Sequence, residues 1–149
     1  MAGIETMSTK ADFLVQVGSD IRKWREGMKF SLEQVAEVCG WERNNLSMKE
    51  RGLRDITVHD YLDIVFLLEP AIETDHPALA LLRRIRDATK RGWSQHLGAA
   101  LADVALYDYL RVLDYTPEVP SDHPGVVLLQ DITQRGLQRS GTVRRKTSR

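Results

Sequence analysis

The chain has 149 residues, of which 42% are apolar and 28% charged, and its formal net charge is zero; these are globular values and exclude a disordered or fibrous protein. A single cysteine, Cys39, excludes an internal disulfide and a cysteine-based zinc site. No apolar run reaches the roughly 20 residues that span a bilayer, and the opening MAGIETMSTKADF lacks a signal-peptide core, so the expected location is the cytoplasm, with no membrane partner.

The first periodic segment is ADFLVQVGSDIRKWREGMKF. Phe13, Leu14, Val17, Ile21 and Trp24 recur at helical spacing, with Arg22, Lys23 and Arg25 interleaved, and Gly27 stands where the pattern stops. Ser31 opens SLEQVAEVCG: its hydroxyl and the Gln34 side chain predict a capping box, and Gly40 suits a left-handed stop. Cys39, in this apolar stretch, reads as a small buried hydrophobe.

After a very short connection, WERNNLSMKERG predicts a third helix closed by Gly52. Leu46 is its one apolar anchor; Glu42, Arg43, Asn44 and Asn45 crowd its first turn. Thr57, with Asp60 completing a variant of the box, caps a fourth helix whose apolar face carries Val58, Tyr61, Leu62, Ile64, Val65 and Leu68, and Pro70 ends it.

Two later stretches resemble one another. TDHPALALLRRI (74–85) and SDHPGVVLLQDI (121–132) share Asp-His-Pro, Leu-Leu and Ile, and each follows a similar piece, DYLDIV (60–65) and DYLRVL (108–113). A decayed internal duplication explains this; so does the frequency of Asp caps with Pro in a first turn. Under either reading 74–91, 94–115 and 122–138 are helices, and the chain is all-α. Its domains are then 12–70, a helical region 74–138, and a basic tail 139–149 (RSGTVRRKTSR), expected to be disordered.

Two helices joined by a tight turn containing Gly, the second polar at its N-terminus, describe a helix-turn-helix. In this motif the second helix enters the DNA major groove and presents its first side chains to base edges. Arg suits guanine and Asn suits adenine. The base-reading candidates are accordingly Glu42, Arg43, Asn44 and Asn45, with Ser47 and Met48 following on the outward side. Residues 1–70 carry nine basic and twelve acidic side chains, which favours a packing role for the pair, but DNA needs only a local positive face.

On IRKWRE (21–26), SLEQVAEVCG (31–40), NLSMKERG (45–52) and the fourth-helix pattern, residues 17–68 resemble the Cro and lambda-repressor-type (XRE-like) helix-turn-helix family. The resemblance implies a five-helix-type DNA-binding module with an appended C-terminal helical region. It implies an ion pair between Arg25 and Glu50, base or phosphate contacts from Arg43, Asn44 and Asn45, and Arg51 and Arg54 in a loop along the DNA backbone. Gln34 and Lys49 complete the expected phosphate set, Lys49 by snorkelling outward. The chain departs from the family at Leu32, where Gln is common; at Lys49, where an apolar residue is common; and at Ile56, where Pro is common.

The four histidines lack metal spacing, no phosphate loop or catalytic constellation is present, and neither an enzyme nor any metal or cofactor is expected. Leu97, Leu101, Val104, Tyr107, Leu110 and Leu113 make either a dimer seam or the core beneath the fifth helix. The expectation is a transcriptional regulator, repression being implied by the resemblance alone, that binds double-stranded DNA as a homodimer and is nucleoid-associated when bound. The alternatives are an antitoxin-type module whose C-terminal helices hold a protein partner, and RNA binding through Trp41 and Trp93.

Overall fold

A computed structural model describes residues 10–88 and 103–147. The described residues form seven α-helices: α1 (Lys10–Gly27), α2 (Leu32–Cys39), α3 (Arg43–Glu50), α4 (Val58–Leu67), α5 (Pro77–Ala88), α6 (Leu106–Tyr115) and α7 (Pro124–Thr147), with a 3-10 turn at Glu69–Ala71 after α4. They contain no strand, and no helix among them is long and apolar enough to cross a membrane.

Local chemistry sets most boundaries. Ser31 Oγ accepts from the Gln34 amide at 3.1 Å, and Gln34 Oε1 accepts from the Ser31 amide at 2.8 Å, which closes the capping box of α2. Gly40 stops that helix at φ 74°. Thr57 Oγ1 accepts from the Asp60 amide at 3.1 Å, but the Asp60 carboxylate bonds Lys49 and does not complete a box.

One core runs through the molecule. Val17, Ile21 and Trp24 of α1, Leu46 of α3, Tyr61 and Ile64 of α4, Leu81 of α5, Leu110 of α6 and Leu128 and Ile132 of α7 are all buried. The C-terminal helices therefore share a core with the N-terminal ones. Two expected boundaries differ. Helix α6 starts at Leu106, because Val104 and Leu106 spend their backbone groups on another segment: Val58 N–H donates to Val104 O at 2.9 Å, and Leu106 N–H donates to Ile56 O at 2.8 Å. The expected helix over 94–102 lies outside the described residues. The segment from 139, expected to be disordered, continues α7 as far as Thr147; no proline interrupts it, and its Arg and Lys residues favour helix.

That backbone exchange bears on the internal similarity. It centres on an antiparallel bridge between Thr57 and Ala105, so it maps each position before α4 onto the position 48 residues later, which is the offset of DYLDIV and DYLRVL. The two Asp-His-Pro segments also build the same cap. His76 Nδ1 accepts from the Ala78 amide and His123 Nδ1 from the Gly125 amide, both at 3.0 Å. Leu81 and Leu82 are buried, and so are their counterparts Leu128 and Leu129. The hairpins α4–α5 and α6–α7 thus match in sequence, capping and burial, joined through a locally two-fold bridge. The matched caps and buried leucines follow from the shared Asp-His-Pro and Leu-Leu residues.

Candidate nucleic-acid interface

Helix α3 has eight residues and little intrinsic reason to persist, since isolated helices that short are marginal. Tertiary contacts hold it. Its inward side carries Leu46, Lys49 and Glu50, all buried: positions i, i+3 and i+4 face the core although two are charged.

Each buried charge has partners. Glu50 receives a bidentate pair from Arg25 of α1, Nε to Oε2 at 2.6 Å and Nη2 to Oε1 at 3.1 Å, while Arg25 Nη1 donates to Phe30 O at 2.8 Å. The pair ties α1, the turn after it and α3 into one geometry. Removing either member leaves a buried charge unmatched, a far larger effect than the net worth of the pair. Lys49 Nζ bonds Asp60 Oδ2 at 3.2 Å and lies 3.7 Å from the centroid of the Trp41 ring. This corrects the expectation that Lys49 snorkels out to phosphate. The cation–π contact and the carboxylate hold its ammonium inside, between α3 and the start of α4.

The outward side of α3 begins with Glu42, Arg43 and Asn44, all exposed. Glu42 is the N-cap but makes no capping hydrogen bond. Arg43 Nε lies 2.5 Å from Glu33 Oε1 of α2 in a solvent-exposed pair, which adds little stability but holds the guanidinium over the helix pair. Asn44 Nδ2 contacts Met48 Sδ at 3.8 Å, and Arg54 Nη2 contacts the same sulfur at 3.8 Å. Arg51 donates to Ser47 O at 3.4 Å.

Two further candidates stand differently from the expectation. Asn45 is half-buried and its Oδ1 is buried without a partner, so that acceptor is turned away from the exposed face. Gln34 commits its Oε1 to the capping box, leaving only its amide N–H groups for a phosphate. The outward set that the structure brings together is therefore Glu42, Arg43, Asn44, Ser47, Met48, Arg51 and Arg54. Cys39 is half-buried, and burial together with Asp63 and Asp60 pushes its thiol up to about 11, which makes it unreactive at neutral pH.

The residues offered as a dimer seam lie inward where they are described. Leu110 is fully buried, and Val104, Tyr107 and Leu113 pack against the core; the Tyr107 ring meets Phe13 of α1 edge-on at 5.0 Å. Leu97 and Leu101 lie outside the described residues. A helical stripe looks the same in sequence whether it seals a dimer or a core, and here the bridge at Thr57 draws α6 into the chain's own interior.

Sequence reasoning missed a second charged link. Arg135 of α7 grips Asp20 of α1 through Nη1–Oδ1 at 2.6 Å and Nη2–Oδ2 at 2.8 Å, and Arg135 Nη2 reaches Asp131 Oδ2 at 2.8 Å. The available signal was Asp20 itself, which falls on the Phe13–Val17–Trp24 face of α1. Nearby, burial holds the His76 imidazole below the ordinary histidine range. Because the unfolded chain then binds more protons than the folded one, stability is present at pH 7 and falls as pH drops through about 6.5, where the unfolded-state histidine is protonated. Urea denaturation between pH 7.5 and 5.5 is expected to show this loss. In His76→Asn, whose side-chain oxygen can still accept from Ala78, the slope is expected to be shallower.

Comparison of the chain with protein-family models, with curated proteins and with solved structures finds no match.

Proposed function

We propose that the protein is a sequence-specific DNA-binding regulator whose α3 enters the major groove, with Arg43 and Asn44 at base edges and Arg51 and Arg54 along the phosphates. One observation carries the reading. The two buried charges of α3 are spent on holding the helix in place, and its exposed N-terminal turn presents a guanidinium and an amide, the groups that read guanine and adenine bidentately. Repression by occupying a promoter follows from the resemblance to the Cro and lambda-repressor-type family. One helix-turn-helix reads only a short half-site, so the proposal includes a homodimer on a two-fold operator, formed through a surface other than the inner side of α6.

A gel shift on the DNA upstream of the protein's own reading frame tests this. Wild type is expected to prefer that sequence over unrelated duplex at moderate salt, and Arg43→Ala plus Asn44→Ala is expected to lose about 1–3 kcal/mol per bidentate contact. Equal binding by the double variant ends direct readout by these residues. Light scattering on the eluting full-length chain tests the dimer: a monomer at micromolar concentration, both free and on DNA, removes it.

The second reading is a protein-interaction module of the antitoxin type. It is favoured by Val112 and Tyr115, large apolar side chains exposed on α6. Wild type that shows no duplex preference, together with a tight complex with the product of an adjacent reading frame, favours this second reading over the first.

A further inference from the structure

Helix α7 runs for 24 residues, Pro124–Thr147, about 36 Å at 1.5 Å per residue. It joins the core near its start, where Val126, Leu128, Leu129 and Ile132 are buried. Arg135 then fixes it to Asp20 of α1. One residue later the surroundings open, since a Cβ on Gly136 would meet nothing within 4 Å. Helix direction explains the change. Asp131 and Arg135 line a cleft with His76 and Pro77 at the head of α5. At the other end, burial and Arg84 of α5 hold the His123 imidazole, just before α7, below the ordinary histidine range. The two helices are therefore antiparallel, and α7 passes the head of α5 at Gly136 with eleven residues still to run.

Those eleven, LQRSGTVRRKT (137–147), include Arg139, Arg144, Arg145 and Lys146 and no acidic residue. The charge of the whole chain is divided at this point. Residues 139–149 carry five basic side chains and no acid, and residues 1–138 carry 16 basic and 21 acidic ones. A neutral chain thus consists of an acidic body and a basic end, an asymmetry that points to a polyanion.

The same eleven residues do not suit the apolar uses of a helix. Leu137 and Val143 are their only apolar members, and six positions on a helix place them about 120° apart. They form no stripe for a coiled-coil seam or for the apolar side of a membrane-surface helix. Arg139 and Lys146, seven residues apart, share one face of the helix, and Arg145 adjoins Lys146 in sequence. Cations in a last turn are also favoured by the helix dipole.

We propose that the end of α7 is a phosphate-binding element that adds sequence-independent affinity for duplex DNA. A duplex presents about one negative charge per 1.7 Å of its axis. The stretch 137–147 is roughly 16 Å long, enough for its cations to meet about three or four phosphates. On α1, Gly18 lies against α3 and Asp20 against α7, about 200° apart round the helix. The element therefore meets duplex outside the groove that α3 occupies and strengthens binding to every sequence alike. The choice of DNA among polyanions rests on the proposed role of α3.

The test is fluorescence anisotropy of the full-length protein on a labelled duplex of unrelated sequence, with potassium chloride varied from about 50 to 200 mM. Arg139→Gln, Arg144→Gln, Arg145→Gln and Lys146→Gln are combined in one variant, since glutamine matches both residues in helix propensity. Across that range wild type is expected to lose about 40- to 150-fold more affinity than the glutamine variant, from the counterions that three or four phosphate contacts release. Arg139→Lys, Arg144→Lys and Arg145→Lys together are expected to keep the wild-type salt dependence. In an Arg43→Ala, Asn44→Ala background the glutamine substitutions are expected to produce the same difference, so failure of base reading and failure of this element are told apart. The proposal is overturned if wild type does not bind unrelated duplex at the lowest salt, or if the glutamine variant keeps the wild-type salt dependence. A glutamine variant that binds duplex more tightly would place the basic end on the chain's own acidic surface and also overturns it. So does stronger binding of wild type to phosphatidylglycerol vesicles than to duplex at matched phosphate.

Discussion

Gly18→Ala is expected to cost about 3 kcal/mol of folding stability, read as an earlier midpoint in urea with an unchanged slope. A Cβ on Gly18 would stand 2.4 Å from Lys49 O, 2.5 Å from Glu50 O and 2.7 Å from Glu50 C. These are backbone atoms at the C-terminal end of α3, so no rotamer change relieves the overlap; α1 and α3 must separate. The contact continues beyond α3. Gly52 lies at φ 73°, and a Cβ there would meet the Val15 backbone at 2.7 Å. Against a total stability of about 5–15 kcal/mol for a domain, one methyl group removes a large share. It also strains the Arg25–Glu50 pair, which spans the same two helices.

Gly136→Ala is the internal control. Gly136 lies in α7, and a Cβ there meets nothing within 4 Å. At such an open helical site alanine should raise stability by about 0.5–1 kcal/mol. Opposite signs for one substitution in two helices isolate the close approach of α1 to α3 as the cause. Destabilisation at both sites, or at neither, would refute the assigned packing.

The second large effect is expected at Arg135. Truncation to Ala leaves the Asp20 carboxylate, whose side chain is 7% exposed, with only the 3.3 Å contact to Gln16. Breaking a buried pair by removing one partner costs about 3–5 kcal/mol, whereas replacing both partners by apolar groups is often close to neutral. Arg135 is itself partly open to solvent, with its side chain 32% exposed, which favours the lower end of that range. Asp20→Leu combined with Arg135→Met is therefore expected to recover most of the loss, and the double-mutant cycle should return a coupling above about 1 kcal/mol. A sum of independent single effects would show that the pair is incidental. Since Asp20 and Arg135 are 115 residues apart, the cycle also tests whether α7 and α1 unfold together.

What could be read from the sequence was local. Ser31 with Gln34, Gly40 and Thr57 announce helix ends through interactions spanning at most four residues, and those interactions form as read. The inward residue Leu46 and the exposed Arg43 and Asn44 followed from helical periodicity. The same periodicity places position 49 inward, but a lysine there reads as an escaping side chain until its partners are known. Trp41 and Asp60 supply those partners from opposite flanks of α3, and nothing in the spacing of the three residues reveals their convergence.

The seam residues show a different limit. Val104, Tyr107, Leu110 and Leu113 form one stripe, and hydrophobic burial has no direction of its own. The stripe fits a second chain or this one equally well in sequence. The backbone exchange between Ile56–Val58 and Val104–Leu106 turns α6 inward, which buries Leu110 and packs Val104, Tyr107 and Leu113 against the chain's own core. The internal similarity lay between the two cases. Its residues were visible, while the bridge and the matched histidine caps that give it physical form appear only in three dimensions.

By itself, then, the sequence determined the all-helical class, the capped start and stop of α2, the start of α4 and the polar first turn of α3, because capping and periodicity act within a few residues along the chain. The tertiary structure decided which charges are buried, which stripe is core and where α1 touches α3. Those depend on contacts between distant segments, whose free energies no local pattern records.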